Sequence, residues 1–134
     1  MFLQPKRSKY KKSQKGKLCN LELKKNKLRF GTFGLKSIES GIISAKHLEA
    51  ARQAIVRKTK RKGKLWIRCF PNIPISSKPI ETRMGKGKGA TQYWSFRTKR
   101  GTVIFEISGI SDKNALAAFK TGGAKLPVKT EIFT

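Results

Sequence analysis

Apolar and polar positions change rhythm several times along this chain, and each change marks an element. Before Leu18 apolar residues are few and show no period. From Leu28 alternation begins. Leu28, Phe30 and Thr32, then Phe33 and Leu35, suit a strand, with Gly31 and Gly34 permitting a bulge or a close backbone approach. Ser44 is an N-cap for a helix from Ala45 to about Arg61, a stretch free of Gly and Pro. Leu48, Ala51 and Ile55, joined by Ala54, share one face of it, and Gly63 is placed as its C-terminal stop. Lys64 to Phe70 reads as a strand with two largely apolar faces, which predicts a central position. Pro71, Pro74 and Pro79 punctuate an extended connection and exclude a helix there. Thr91 to Arg97 and Thr102 to Ser108 are predicted as the arms of an antiparallel hairpin, turning at Thr98-Lys99-Arg100-Gly101. Trp66, Phe70, Trp94 and Phe105 fall in strand patterns that predict burial. Ser111 or Asp112 caps a short helix bearing Ala115, Leu116, Ala118 and Phe119, which Gly122-Gly123 ends. Leu126 to Phe133 is a final strand.

Helices and strands out of strict βαβ alternation predict an α+β domain. The expected architecture is a small mixed or antiparallel sheet with two helices over residues 28–134, preceded by an extended basic arm over 1–27. The length, 134 residues, suits one domain with a core of its own.

Charge changes the picture most. The chain has 32 Lys+Arg against 7 Asp+Glu, a formal net charge of +25. Self-repulsion on that scale opposes compaction, so a polyanionic partner is expected, and nucleic acid is the leading one. Three places concentrate the charge. The arm carries Lys6, Arg7, Lys9, Lys11 and Lys12, with Tyr10 among them as a ring able to stack. The end of the first helix carries Arg52, Arg57, Lys58, Lys60, Arg61 and Lys62, where cations also suit the helix dipole. The third is the tract Arg83-Met84-Gly85-Lys86-Gly87-Lys88-Gly89. Its glycines permit positive φ and close approach, and its lysines supply mobile ammonium groups, so backbone N–H and Lys heads can both face phosphate.

Other chemistries fit poorly. The tract lacks the Walker spacing, and Ala90 stands where a GxGxxG motif needs its third Gly. Cys19, Cys69 and His47 are too few and too scattered for a zinc site, so no metal and no cofactor is expected. Cys69 reads as a small core residue. No acid–base pair or activated nucleophile is visible, so no catalytic residue is assigned and no enzyme is expected. No apolar run approaches the roughly 18 residues of a membrane span.

Several blocks together resemble a known family. Leu3-Gln4-Pro5-Lys6-Arg7, Phe30-Gly31-Thr32-Phe33-Gly34-Leu35-Lys36 and Glu49-Ala50-Ala51-Arg52 stand in its order. Gly63 to Pro71 (GKLWIRCFP), Lys78 to Gly89 (KPIETRMGKGKG), Tyr93-Trp94 and Ala124 to Thr130 (AKLPVKT) follow. The chain resembles the bacterial and organellar L-sixteen family of large-subunit ribosomal proteins from residue 2 to about 132. The resemblance implies an α+β fold of the hammerhead type and a structural, rRNA-binding role beside the aminoacyl-tRNA site, near the peptidyl transferase centre. It implies large-subunit rRNA, aminoacyl-site tRNA and neighbouring ribosomal proteins as partners, with no membrane and no homo-oligomer expected. The loop Arg83 to Gly89 would point toward tRNA, and the N-terminal arm would thread among rRNA helices. Two segments depart from the family. Residues 17–27 lack the Arg/Gly-rich character of many relatives, so contacts there are not carried over. Thr121-Gly122-Gly123 has Gly where relatives favour Ala, which predicts a weakened last turn, at about 1 kcal/mol per Gly.

A free RNA-binding or RNA-chaperone module is the alternative; it requires an exposed aromatic platform. Lys outnumbers Arg 23 to 9, as in translation from an AT-rich genome. The expected location is the ribosome, with the mitochondrial matrix favoured over the plastid stroma or a bacterial cytoplasm. The family start at Met1, without a presequence, favours synthesis inside the organelle.

Overall fold

A computed structural model describes residues 3–18 and 21–134; Cys19 lies outside them. Its elements run β1 (Phe33–Ser37), β2 (Gly41–Ser44), α1 (Ala45–Lys58), β3 (Lys64–Ile67), β4 (Ile73–Ser77), β5 (Ala90–Thr98), β6 (Val103–Ser108), α2 (Asp112–Gly123) and β7 (Thr130–Phe133). The class is α+β, as expected, but the strands form two antiparallel sheets. One has the order β3-β6-β1-β7 and the other β2-β5-β4.

The expected hairpin of β5 with β6 does not form. β5 pairs with β2 and β4, and β6 with β1 and β3. The reason is a shared corner. β1 turns into β2 where β5 turns into β6, so one bent ribbon serves both sheets. The Gly101 N–H donates to Ser37 O at 2.7 Å and the Ser37 N–H to Thr102 O at 2.9 Å, locking the two turns together. Gly101 takes φ 87° there.

Other boundaries shift for local reasons. β3 is an edge strand, not a central one, and stops at Ile67. The Pro-punctuated connection contains β4, which accepts Pro74 because it lies at a sheet edge. The last strand is only Thr130–Phe133, since Lys125 and Leu126 donate back to Gly122 and Gly123 in a turn. Ser44 caps α1 as predicted, its Oγ accepting from His47 N–H at 3.3 Å. The helix ends at Lys58, before Gly63. Lys60 N–H bonds to Arg57 O and Arg61 N–H to Val56 O, closing the helix with Lys60 at φ 52° and Arg61 at φ 61°.

A single apolar cluster unites the elements. Leu35, Phe105 and Ile107 of the larger sheet meet Leu48, Ala51 and Ile55 of α1 and Ala115, Ala118 and Phe119 of α2. Leu116 is exposed instead of packed. Among the four aromatics predicted to be buried, Phe105 is; Trp66 and Trp94 are half-buried and Phe70 is exposed. The edge position of β3 and the chain's departure after Ile67 explain Trp66 and Phe70.

α2 runs through both glycines to Gly123. A Cβ on Gly122 would lie 2.5 Å from Ile55 Cγ1, so this glycine sets the approach of α2 to α1. Gly122→Ala is therefore expected to destabilise the domain by about 1–3 kcal/mol, although Ala is the better helix former. Urea unfolding measures it, and a gain in stability would contradict this packing.

Candidate nucleic-acid interface

The far face of the larger sheet organises the N-terminal region. Along β6, Glu106 points away from the helices and is fully buried. Its carboxylate accepts from the backbone N–H of Phe30 at 2.7 Å and of Gly31 at 2.9 Å, with Arg29 N–H at 3.2 Å, and it pairs with the Arg68 guanidinium. Residues 28–32 thus cross the sheet as a cover instead of entering the strand, which begins at Phe33. Gly34 makes room: a Cβ there would lie 2.6 Å from Leu28 Cδ2. Phe30 stacks on Trp66 with ring centroids 6.0 Å apart, and the Arg68 guanidinium lies over the Phe30 ring. Burial, and then the charge of Arg29, lower the Arg68 guanidinium from its ordinary value. It remains charged against the carboxylate in direct contact with it.

From this anchor the arm lies against the domain. Val103 N–H donates to Lys25 O and Glu22 N–H to Arg100 O. Thr91 Oγ1 donates to Lys11 O at 2.7 Å, Arg97 to Gln14 O, and Lys88 Nζ to Ser13 O. Leu3 is buried in the core cluster. Lys6, Arg7, Lys9, Tyr10, Lys11 and Lys12 are all exposed on the outside of this path, with Lys9 over the Tyr10 ring.

The six cations at the end of α1 do not form one patch. Arg57, Lys58 and Lys60 face a cleft shared with Asn114, Thr121 and Lys125 on the α2 side. Arg61 and Lys62 turn the other way, toward Lys64 of β3. Arg52 faces that second side as well, but is bound to Glu49 at 2.6 and 2.9 Å. The Arg52 hydrogen bond holds the Glu49 carboxyl below its usual range, against an opposing contribution from burial. The stability this pair adds is present above the ordinary carboxylate value and is lost as pH falls through the lowered one. Lys125 is a member of the basic surface that the sequence did not reveal, because the turn after α2 brings it there.

The Gly-Lys loop is exposed from Arg83 to Lys88, with Met84 at 98%, and is tied to the arm at Lys88: Lys12 Nζ donates to Lys88 O and Lys88 Nζ to Ser13 O. Gly85, Lys86 and Gly87 take φ of 89°, 50° and 82° in succession. No atom lies within 4 Å of a Cβ placed at Gly85 or Gly87, so these two glycines serve backbone conformation alone. Gly89 serves close approach, since its Cβ would meet Ser77 O at 2.3 Å. Lys78 Nζ donates to Gly85 O and braces the loop from β4.

Four ion pairs among the described residues use Glu39, Glu49, Glu106 and Glu131, leaving most of the 32 cations without an acidic partner. His47 is exposed, and no cluster of three His, Cys, Asp or Glu that could hold a metal is present among the described residues. Cys69 is buried, and burial pushes its thiol up to about 12, which leaves it a protonated core group and not a nucleophile. Among the described residues no helix is long and apolar enough to cross a membrane.

A basic α+β surface of this kind is matched along nearly its whole length by one family model, ribosomal protein L16p/L10e, over residues 5–133. The chain belongs to that family. It is a family of ribosomal structural proteins and not of enzymes. Large ribosomal subunit protein uL16 of Acidiphilium cryptum is 48% identical over 133 residues, covering 99% of this chain and 96% of the relative. The uL16 of Mesorhizobium japonicum is 50% identical over 129 residues, covering 96% and 94%. That of Orientia tsutsugamushi is 49% identical over 131 residues, covering 98% and 96%.

The left-handed Lys60 separates stability from binding. Lys60→Gly is expected to stabilise the domain by about 1 kcal/mol by relieving the αL penalty. It should also lower the slope of log affinity against log salt for a large-subunit rRNA fragment by about 0.7–0.9. Urea unfolding and filter binding read the two effects, and a loss of stability would contradict the helix ending described here.

Proposed function

We propose that this chain is a structural constituent of the large ribosomal subunit that binds its rRNA and supports the aminoacyl-tRNA site. Family membership carries the reading, because the relatives named above are large-subunit proteins matched end to end. The distribution of charge supports it: the cations on the arm, on both sides of the α1 end and on the loop are exposed and without acidic partners, except Arg52, which is paired with Glu49. In this reading residues 1–27 are the rRNA-binding arm and residues 28–134 the domain. Arg52, Arg57, Lys58, Lys60, Arg61 and Lys62 meet rRNA phosphate together with Lys6, Arg7, Lys9, Tyr10, Lys11 and Lys12. The division of labour is spatial. Groups on the arm and at the end of α1 bind rRNA, and the exposed tip of the Arg83–Gly89 loop reaches the tRNA. One copy acts per subunit, among neighbouring ribosomal proteins.

A free RNA chaperone would draw on exposed Tyr10, Phe30, Phe70 and Tyr93; Tyr10 and Phe70 border one cleft, but Phe30 is stacked on Trp66 and the four do not share one strand face. The ribosome is the proposed location. The relatives named are bacterial, which fits a bacterial cytoplasm, while the Lys-for-Arg bias supports the mitochondrial matrix.

The protein is expected to co-sediment with large subunits and to stay bound through moderate salt; recovery only from the free pool would overturn the reading. Lys86→Ala with Lys88→Ala should slow translation more than it reduces subunit assembly. Equal loss of both would contradict the placement of the loop.

A further inference from the structure

β5 extends beyond its partner on one side. β2 ends at Ser44 opposite Ser95, so residues 90–94 of β5 are paired to β4 alone and their other flank is open. α1 starts at that point and its first turns run past the open flank, while the arm passes over it. The three border a groove of about 1040 Å³. None of the clusters identified from the sequence includes it.

Its chemistry is mixed in a specific way. Apolar surface comes from Leu3, Ala45, Ala50, Ala90 and the half-buried ring of Trp94, with Tyr93 beside it. Three uncharged amides, Gln4, Gln53 and Gln92, line it. Lys11, Lys12 and Lys46 stand around it, all exposed. One acid borders the groove, Glu49, and its oxygens are occupied by Arg52 and Gln53. An occupant that uses this whole lining carries negative charge for the lysines and presents a neutral, flat, hydrogen-bonding group to the amides and the ring. The carboxylates of an acidic peptide would answer the lysines but offer no flat group to stack on Trp94.

We propose that this groove receives an unpaired nucleobase of rRNA, stacked on Trp94 and hydrogen-bonded by the Gln side chains, with its flanking phosphates on Lys11, Lys12 and Lys46. The proposal rests on the rRNA-binding reading and deepens it. The surface then reads a base at one point in addition to neutralising phosphates. Because Thr91 Oγ1 holds Lys11 O at the rim, seating of the base also fixes the arm against β5.

The test uses the full chain with Trp66→Phe, which keeps the stack on Phe30 and leaves Trp94 as the single tryptophan of the two. Single-stranded oligoadenylate should quench Trp94 emission. Inorganic polyphosphate, bound as tightly by charge, should not. Trp94→Ala should weaken oligoadenylate binding about 5- to 150-fold while Trp94→Phe keeps most of it. Polyphosphate affinity should stay unchanged in both variants, and urea unfolding reports separately that they are folded. Equal quenching by the two polyanions, or none by either while both bind, would overturn the proposal. In assembled large subunits, ultraviolet crosslinking should place a nucleotide adduct on the peptide carrying residues 90–94. Adducts confined to the arm and loop, or a crosslink from this peptide to a neighbouring protein, would refute the groove assignment and leave rRNA binding standing. Absence of any adduct would sink the rRNA-binding reading itself.

Discussion

One buried carboxylate holds the basic chain together. Glu106 sits at the centre of the larger sheet with no exposure, and it gathers backbone donors from residues 29–31 and the guanidinium of Arg68. An unpaired carboxylate at that depth would be untenable. Its partners come from segments remote in sequence, so satisfying it fixes where the N-terminal chain crosses the sheet and where β3 leaves it. The arm's route, the Phe30–Trp66 stack and the position of the cations before Leu28 all follow from that crossing. Most cations of the arm, the α1 end and the loop are exposed, whereas the Arg68 guanidinium is turned inward against this one acid.

The corner shared by the two sheets is the second constraint. It carries β2 and β5 into the smaller sheet and leaves β5 longer than β2, which opens the groove beside α1. It also projects β4 and the base of the Gly-Lys loop away from the core. The loop joins β4 to β5, so both of its ends are fixed by the smaller sheet. Succession of positive φ at Gly85, Lys86 and Gly87 gives the loop a shape that no packing imposes on it.

Much of this was legible in the chain. The period of Leu48, Ala51 and Ile55, the Ser44 cap and the β-branched apolar run at 103–107 are local signals, and each element formed where its signal lay. The failures were of pairing. Nothing in Thr98–Gly101 distinguishes a hairpin turn from a sheet-to-sheet corner, because the difference lies in what Ser37 offers from sixty residues away. β3 looked central because both its faces are largely apolar, yet the Trp66 ring is stacked on Phe30 from the segment that crosses the sheet and not covered by a further strand. Glu106 stood in plain view as an acid inside an apolar strand, and in a chain so rich in cations that was the signal for a buried pair. The three basic clusters were visible as composition. Their division into two faces around the end of α1, and the groove, needed the third dimension.

The account stands most directly on Glu106. Chemical denaturation of Glu106→Gln against Glu49→Gln compares the buried acid with a partly exposed one in the same protein. Glu106→Gln is expected to cost about 3–5 kcal/mol, since Arg68 is left buried without its counter-charge. Glu49→Gln is expected to cost under about 1 kcal/mol. Proteolysis in the first 30 residues should accelerate in the Glu106 variant alone. Equal and small losses, with the N-terminal region no more accessible, would show that the arm is held by something other than this carboxylate.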